Sequence, residues 1–126
     1  MTDDLKSTFD AFIGFYPVCD LEATRDFYER DLGLALARDQ GTCLIFRTGA
    51  ETYLGFCQHA EALSPHHGLI LTLVTREVDA VYQHLRSLGI ETEAPPTLNP
   101  TYGIYHFFAR DPDGYRIEVQ RFLEPL

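Results

Sequence analysis

The residues best suited to chemistry are concentrated near the end of the sequence. Arg116 and Glu118 alternate with the apolar Ile117 and Val119, and His106 lies in the preceding apolar stretch. Such alternation predicts a strand with one polar and one apolar face. A carboxylate or an imidazole can act as a general base, and an arginine can orient the polar end of a ligand. Glu118 and His106 are therefore candidate catalytic residues, and both, with Arg116, are candidate ligand contacts.

Histidines offer a second chemistry, the binding of a metal ion. His66 and His67 follow Pro65 in a polar stretch. A divalent ion accepts imidazole nitrogens and carboxylate oxygens, so His67, His106 and Glu118 form one conceivable ligand set, with His66 also within reach. The simpler interpretation is favoured: a solvated histidine pair in a loop, and a hydrogen-bonded histidine in a half-buried strand.

The cysteines and the apolar runs indicate the cellular location of the protein. Cys19, Cys43 and Cys57 form no CxxC pair, and a sparse, odd number predicts reduced, inert thiols and a cytoplasmic location. The acidic start of the sequence has no apolar signal core, which argues against export. No apolar run approaches the ~20 residues that a membrane span needs, so no membrane partner is expected.

The charge of the chain restricts its partners. Ten Lys and Arg against 19 Asp and Glu give a net charge of −9. An acidic surface repels phosphate backbones, so nucleic acid is not an expected partner. The acidity suits a cationic ligand or simply favours solubility. Nine Phe and seven Tyr are enough to build a core or to line a pocket for a small molecule.

The candidate residues must be positioned by the predicted elements, which occur in the same order twice. In each half, a strand precedes a helix, and the helices lie between Asp20 and Gly33 and between Thr75 and Gly89. Further strands follow each helix. The predicted strands cover residues 12–18, 34–38, 42–47 and 52–57 in the first half and 69–74, 90–94, 103–110 and 115–122 in the second.

Turn residues separate these strands and define the repeat. Residues 111–114, Asp-Pro-Asp-Gly, suit a type I turn between the last two strands, and residues 95–100 contain three prolines typical of a stiff loop. The glycines that end the helices, Gly33 and Gly89, are 56 residues apart. The sequence thus predicts one α+β domain over residues 1–126, built from two strand-helix-strand-strand-strand modules over about 11–58 and 68–122.

These segments resemble the vicinal-oxygen-chelate superfamily, which includes glyoxalase I, bleomycin resistance proteins and extradiol dioxygenases. Three stretches carry the resemblance: VCDLEA with FYERDLGL in the first half, VDAVY in the second helix, and YGIYHFFARDPDGYRIE over residues 102–118. The last is the most specific. The resemblance implies paired βαβββ modules that form a cup-shaped mixed sheet, commonly in a homodimer.

The resemblance also implies where a divalent metal would bind in metal-dependent relatives. The first-strand ligand lies seven residues before the Asp that begins the helix, which gives Ile13, and the 56-residue offset gives Leu69. The third position falls near Phe56. Glu118, after Asp-Pro-Asp-Gly, matches the fourth. Three of these four side chains cannot bind a metal, so no metal cofactor is expected.

The same positions predict the lining of the cup. Alternation places Ile13 and Phe15 on one face of the first strand. A mostly apolar pocket with a few polar anchors is typical of a small-molecule site. The predicted ligand-binding residues are Ile13, Phe15, Phe56, Leu69, His106, Arg116 and Glu118; side chains that merely fill the space between the modules are the alternative.

Three functions are compatible with these features. The favoured one is a metal-free protein that binds a small organic molecule, as bleomycin resistance proteins do. The second is a metal-dependent lyase, isomerase or dioxygenase of the glyoxalase type, in which the ion acts as a Lewis acid. The third is a metal-free enzyme that uses Glu118 or His106 as a general base.

Overall fold

Each half of the chain forms its own compact unit. The computed structural model describes residues 8–59 and 69–126, and the chain divides into units spanning Met1–Leu63 and Ser64–Leu126. Each unit contains a four-stranded mixed sheet with a helix in the sequence order βαβββ. The predicted α+β fold of two such modules is therefore confirmed. His66, His67 and most of the predicted loop around them lie outside the described residues.

In the first unit, the helix is inserted between the first strand and a three-stranded meander. The strands are β1 (Phe12–Val18), β2 (Ala35–Asp39), β3 (Cys43–Arg47) and β4 (Thr52–Gln58). Their order in the sheet is β1-β4-β3-β2, with β1 parallel to β4 and the other pairs antiparallel. Each predicted strand of this half is found to within one residue at its ends.

The first helix departs from the regular helix that the sequence predicts. It begins as α1 (Leu21–Arg25), where the carboxylate of Asp20 accepts hydrogen bonds from the N–H groups of Glu22 and Ala23 at 3.0 and 3.2 Å. It continues as a π-helical segment, Asp26–Asp31, in which Leu32 N–H donates to the carbonyl of Phe27, five residues earlier. Apolar spacing alone does not distinguish this wider turn from an α-helix.

The second unit repeats the plan with one strand displaced. Its strands are β5 (Ile70–Val74), β6 (Thr97–Asn99), β7 (Ile104–Arg110) and β8 (Arg116–Phe122), in the order β5-β8-β7-β6, and its helix is α2 (Val78–Ser87). The strand predicted over 90–94 is wrong, since this segment pairs only through a bridge between Thr92 and Ala109. The edge strand β6 forms instead within the proline-containing loop. Proline is tolerated beside an edge strand because no neighbour needs its missing N–H.

The turn between β7 and β8 is stabilised by the side chain of Asp111. The Asp111 carboxylate is 6% exposed and accepts hydrogen bonds from the N–H groups of Asp113 and Tyr115 at 2.9 and 2.8 Å. Gly114 has a φ of 85°, which an L residue rarely adopts. The predicted tight turn is present, and it fixes the register in which β7 and β8 pair.

A disulfide in the first unit corrects the prediction of reduced thiols. Cys43 on β3 and Cys57 on β4 are directly opposite each other in the sheet and are bonded to each other. Their separation of 14 residues matches no local cysteine motif. The pairing of β3 with β4 brings them together, which spacing in the sequence does not reveal.

One face of each sheet forms the core of its unit. In the second unit, Ile117 and Val119 of β8 are buried, and Tyr82 of α2 meets Phe107 of β7 edge-on at 5.2 Å. The helix therefore covers the apolar face of β8, as its alternation predicts, and the polar side chains lie on the other face. No helix among the described residues is long and apolar enough to cross a membrane.

Candidate functional site

The three candidate polar residues of the second unit share the face of its sheet that lies away from α2. In the strand register, Glu118 is opposite Phe108 on one side and Thr72 on the other. Arg116 and His106 lie on the same face, because residues two apart in a strand point the same way. The antiparallel hairpin of β7 and β8 thus brings together groups that are separate in the sequence.

Glu118 is held by hydrogen bonds at both carboxylate oxygens. It is 8% exposed, its Oε1 accepts from the Thr72 hydroxyl at 2.9 Å, and its Oε2 lies 2.7 Å from Nδ1 of His106. In the neutral Nδ1–H tautomer, His106 donates to the Glu118 carboxylate, and Nε2 is left as an acceptor for another group. This arrangement orients an imidazole by a buried carboxylate.

Arg116 is paired with a different carboxylate. Its Nε and Nη2 atoms donate to the two oxygens of Glu93, each at 2.9 Å, and its guanidinium lies 3.6 Å from the centre of the Phe108 ring. The hydrogen bond from Arg116 lowers the pKa of Glu93, partial burial opposes this shift, and Arg110 adds to it. The same hydrogen bond raises the pKa of Arg116. Arg116 therefore does not neutralise Glu118 directly.

A small cavity adjoins these groups. Its volume is about 240 Å³, and its lining combines apolar and aromatic surface with an imidazole, a hydroxyl and an ion pair. Six of the residues that line it are Glu93, Pro95, Thr97, His106, Phe108 and Arg116. The cavity can therefore accept an apolar group, with His106 and Arg116 at its polar side.

In the first unit, two of the predicted ligand contacts lie together and a third does not. Ile13 and Phe15 are 39% and 50% exposed and line a cavity of about 460 Å³. Phe56 is fully buried on the opposite face, stacked on Tyr28 with ring centres 4.4 Å apart. The predicted orientation of Phe56 is wrong by one residue, and a slip of one residue moves a strand side chain to the other face.

The position predicted for Leu69 is also wrong by one residue, and for this reason the sequence did not indicate Thr72. Leu69 precedes β5, and the residues of β5 that pair with Arg116 and Glu118 are Ile70 and Thr72. The 56-residue offset is the spacing between the two helix ends. This spacing need not preserve the alternation of side chains along a strand. Thr72 is therefore the residue on β5 that contacts Glu118. The one signal for it was its position as the polar residue within an apolar strand.

The donor groups do not fit the divalent metal that the resemblance implies for some relatives. Ile13 and Leu69 have no donor atom, and both oxygens of Glu118 are already engaged by Thr72 and His106. Within residues 8–59 and 69–126, no three His, Cys, Asp or Glu side chains are grouped as a metal site would require. The set of His67, His106 and Glu118 extends outside the described residues.

The chain belongs to the glyoxalase/bleomycin resistance protein/dioxygenase superfamily, whose family model matches residues 8–119. Similar solved structures include a glyoxalase/bleomycin resistance protein/dioxygenase from Alicyclobacillus acidocaldarius, with a TM-score of 0.74 and 20% identity over 91% of this chain and 92% of that one. Among curated proteins, none matches the chain.

Two further solved structures differ in what their names state. TnmS3, an antibiotic-binding protein from Streptomyces sp. CB03234, is 28% identical, with a TM-score of 0.75 over 91% of this chain and 97% of that one. A lactoylglutathione lyase from Agrobacterium tumefaciens is 20% identical, with a TM-score of 0.70 over 91% and 96%. The second likeness concerns the fold alone, since the same fold supports both binding and catalysis.

Proposed function

We propose that this protein binds a small organic molecule and holds it without a metal ion. The proposal rests on the polar face of the second sheet, where a buried carboxylate orients His106 beside an aromatic ring and an arginine. Apolar walls supply affinity, and a few fixed polar groups select the orientation of the ligand. The likeness to an antibiotic-binding protein supports the same function.

The pairing of charges defines the ligand that suits this face. Glu118 is satisfied by Thr72 and His106, and Arg116 by Glu93, so neither charge needs a counter-ion from the ligand. Because Arg116 already stacks on one face of the Phe108 ring, the groups that remain are the Nε2 atom of His106 and the apolar surface of the adjoining cavity. An aromatic molecule with a hydrogen-bond donor fits these two groups. A strong preference for cations, suggested by the acidic composition, is not required.

Ligand binding can be tested by thermal shift with a panel of neutral and cationic aromatic compounds. A ligand at 100 times its dissociation constant adds about 2.7 kcal/mol to the free energy of unfolding, which gives a clear rise in Tm. We expect His106→Ala and Phe108→Ala to abolish this rise. His59→Ala is the matched control, since it removes an exposed imidazole from the other unit. If a compound still raises the Tm of both site variants, its binding site lies elsewhere.

The metal-free part of the proposal has its own test. Elemental analysis of protein purified without chelators is expected to give far less than one transition-metal ion per chain, because aliphatic side chains occupy two of the positions that hold ligands in metal-dependent relatives. A near-stoichiometric content of zinc, nickel, iron or manganese that is lost in Glu118→Ala would contradict it.

A metal-free enzyme is the second candidate, and the contact between His106 and Glu118 favours it. A histidine whose Nδ1 is hydrogen-bonded to a carboxylate is the usual arrangement of a general base. Each compound that raises Tm should be incubated with the protein and followed by mass spectrometry. Conversion that is lost in His106→Gln, while binding is kept, would identify an enzyme; unchanged compounds would identify a binding protein.

A further inference from the structure

The disulfide between Cys43 and Cys57 has no part in the proposed function, and its place in the first sheet gives it a chemistry of its own. Cys43 is the first residue of β3, and Cys57 lies directly opposite it, one residue before the end of β4. Both cysteines are half-buried, whereas their neighbours Thr42 and Gln58 are exposed. The bond therefore lies at one end of the β3–β4 ladder, where solvent reaches both residues.

The two cysteine side chains lie outside the aromatic core of the first unit. Phe56, the residue before Cys57, is fully buried and stacked on Tyr28 of the first helix. Consecutive residues of a strand point to opposite faces, so Cys57 and its partner Cys43 lie on the face away from that helix. Breaking the bond between them therefore leaves no gap in the core.

The pairing of β3 with β4 has strong support besides the disulfide. Leu44 and Phe46 on β3 and Phe56 on β4 are almost fully buried, and the two phenylalanine rings lie 6.2 Å apart. Beyond the disulfide, the N–H group of Gln58 still donates to the carbonyl of Thr42 at 2.9 Å. Burial of these apolar side chains stabilises the sheet in either redox state, so we expect the reduced unit to stay folded.

The same pairing keeps the two cysteines ready to form the bond again. Their Cα atoms are 4.1 Å apart, and the ladder holds them opposite each other whether or not the sulfurs are joined. Two groups held in this way react with each other far more readily than separate molecules do. The closed loop is also short, with a separation of 14 residues, so the bond restricts the unfolded chain less than a long-range disulfide would.

We propose that Cys43 and Cys57 form a redox pair that low-molecular-weight thiols such as glutathione reduce reversibly while the first unit stays folded. In reduction, the thiolate attacks one sulfur of the pair, breaks the S–S bond and forms a mixed disulfide. The cysteine thiolate that is released takes up the proton that the attacking thiol lost.

A second thiol completes the exchange. It attacks the mixed disulfide, releases the other cysteine as a thiol and leaves as the oxidised dimer of the small thiol. Two electrons thus pass from two small thiols to the protein, and the oxidised dimer restores the bond by the same steps in reverse. The pair shares no residue with the polar face of the second sheet, so this proposal and the proposed function can fail independently.

The test counts thiols in Cys19→Ser, a variant in which Cys43 and Cys57 are the remaining cysteines. The protein is equilibrated without oxygen in glutathione buffers that range from oxidised to millimolar reduced, quenched with acid, alkylated with N-ethylmaleimide and weighed by intact mass spectrometry. We expect no label in oxidised glutathione, two labels in reduced glutathione, and full reversal over repeated cycles. Circular dichroism should give the same folded spectrum in both states.

A variant without the pair is the matched control. Cys43→Ser with Cys57→Ser, made in Cys19→Ser, should have the Tm of the reduced protein, and its Tm should not change with glutathione. If this variant does not fold, the spectrum of the reduced Cys19→Ser protein still decides the question.

Three results would overturn the proposal. A bond that persists in millimolar reduced glutathione would be a structural disulfide, because such disulfides resist reduction by the glutathione pool. Loss of the folded spectrum on reduction would show that the first unit needs the bond. Two labels in oxidised glutathione would show that Cys43 and Cys57 do not join in solution.

Discussion

At the scale of single residues, neighbouring side chains on one strand have unrelated roles. Arg116 forms an ion pair with Glu93, whereas Glu118, two residues later, is buried in hydrogen bonds to Thr72 and His106. Glu93 and Glu118 look alike in the sequence. Their environments differ because β5 and β7 flank β8 on either side of Glu118, while Arg116 lies at the end of the strand near Glu93.

Phe56 is expected to contribute to stability rather than to ligand binding. It is fully buried between Tyr28 and the sheet, so Phe56→Ala should lower the free energy of unfolding by about 3–5 kcal/mol, as is usual for a buried ring. Urea denaturation gives the value. Phe15→Ala, which removes a half-exposed ring from the other face, should cost less than about 1 kcal/mol. An unchanged stability for Phe56→Ala would contradict its position in the core.

The ion pair of Glu93 with Arg116 predicts a pH dependence. The folded-state pKa of Glu93 lies below its unfolded value of about 4.3, so the stabilisation is complete above that pH and is lost as the pH falls through the lowered folded pKa. Glu93→Gln should therefore lower stability at neutral pH, by less than about 1 kcal/mol because the pair is partly exposed, and should match the wild type in acid.

Urea denaturation at a series of pH values measures this difference. Glu91→Gln is the matched control, since it neutralises a nearby exposed glutamate, and its curve should run parallel to that of the wild type. A deficit of Glu93→Gln that grows rather than disappears towards acid pH would show that the ion pair is not its cause.

At the scale of elements, the hairpin of β7 and β8 builds the candidate site. Its turn is fixed by Asp111, and its register places Phe108 opposite Glu118 and His106 opposite Gln120. A slip of one residue in this register would move His106 away from Glu118. The turn therefore determines which side chains meet on the polar face of the second sheet, although the turn itself does not contact that face.

Asp111→Ala should destabilise the protein by about 2 kcal/mol, because the buried N–H group of Tyr115 and the partly buried N–H group of Asp113 lose their acceptor. Thermal or urea unfolding measures the loss, and ligand binding on the second sheet should weaken with it. Asp10→Ala, at an exposed aspartate with no hydrogen bond among the described residues, is the control and should be neutral. Equal stability of the two variants would refute the role of Asp111.

At the scale of the whole molecule, the exposed edges of the sheets point to self-association. Phe12 on β1 and Leu98 on β6 are 69% and 59% exposed, and both strands are at the edge of a sheet. Unpaired edges that carry large apolar side chains invite contact with another chain. The homodimer implied by the family resemblance therefore stays our prediction for this protein.

Light scattering coupled to gel filtration should give the mass of two chains at micromolar concentration. Phe12→Asp and Leu98→Asp together should shift the protein towards the monomer, whereas the exposed Leu126→Asp serves as a control for added charge. A stable monomer in the wild type would exclude the dimer at that concentration.

The sequence by itself determined the two-module fold. Asp20, Gly33 and Gly89 mark helix ends by local backbone chemistry, and the alternation around Glu118 separated the polar face of β8 from its apolar face. These features act over a few residues, so they can be seen in the sequence. For the same reason, the helical spacing around Tyr28 predicted a helix but not its π-helical segment.

Only the tertiary structure decided which side chains meet. The contact of Thr72 with Glu118, the disulfide of Cys43 with Cys57 and the burial of Phe56 all depend on the register between paired strands. Register is set by turns and by packing of the whole sheet, and an error of one residue reverses the face of a side chain. The sequence therefore indicated Glu118, His106 and Arg116 as candidates, and strand pairing determined the partner of each.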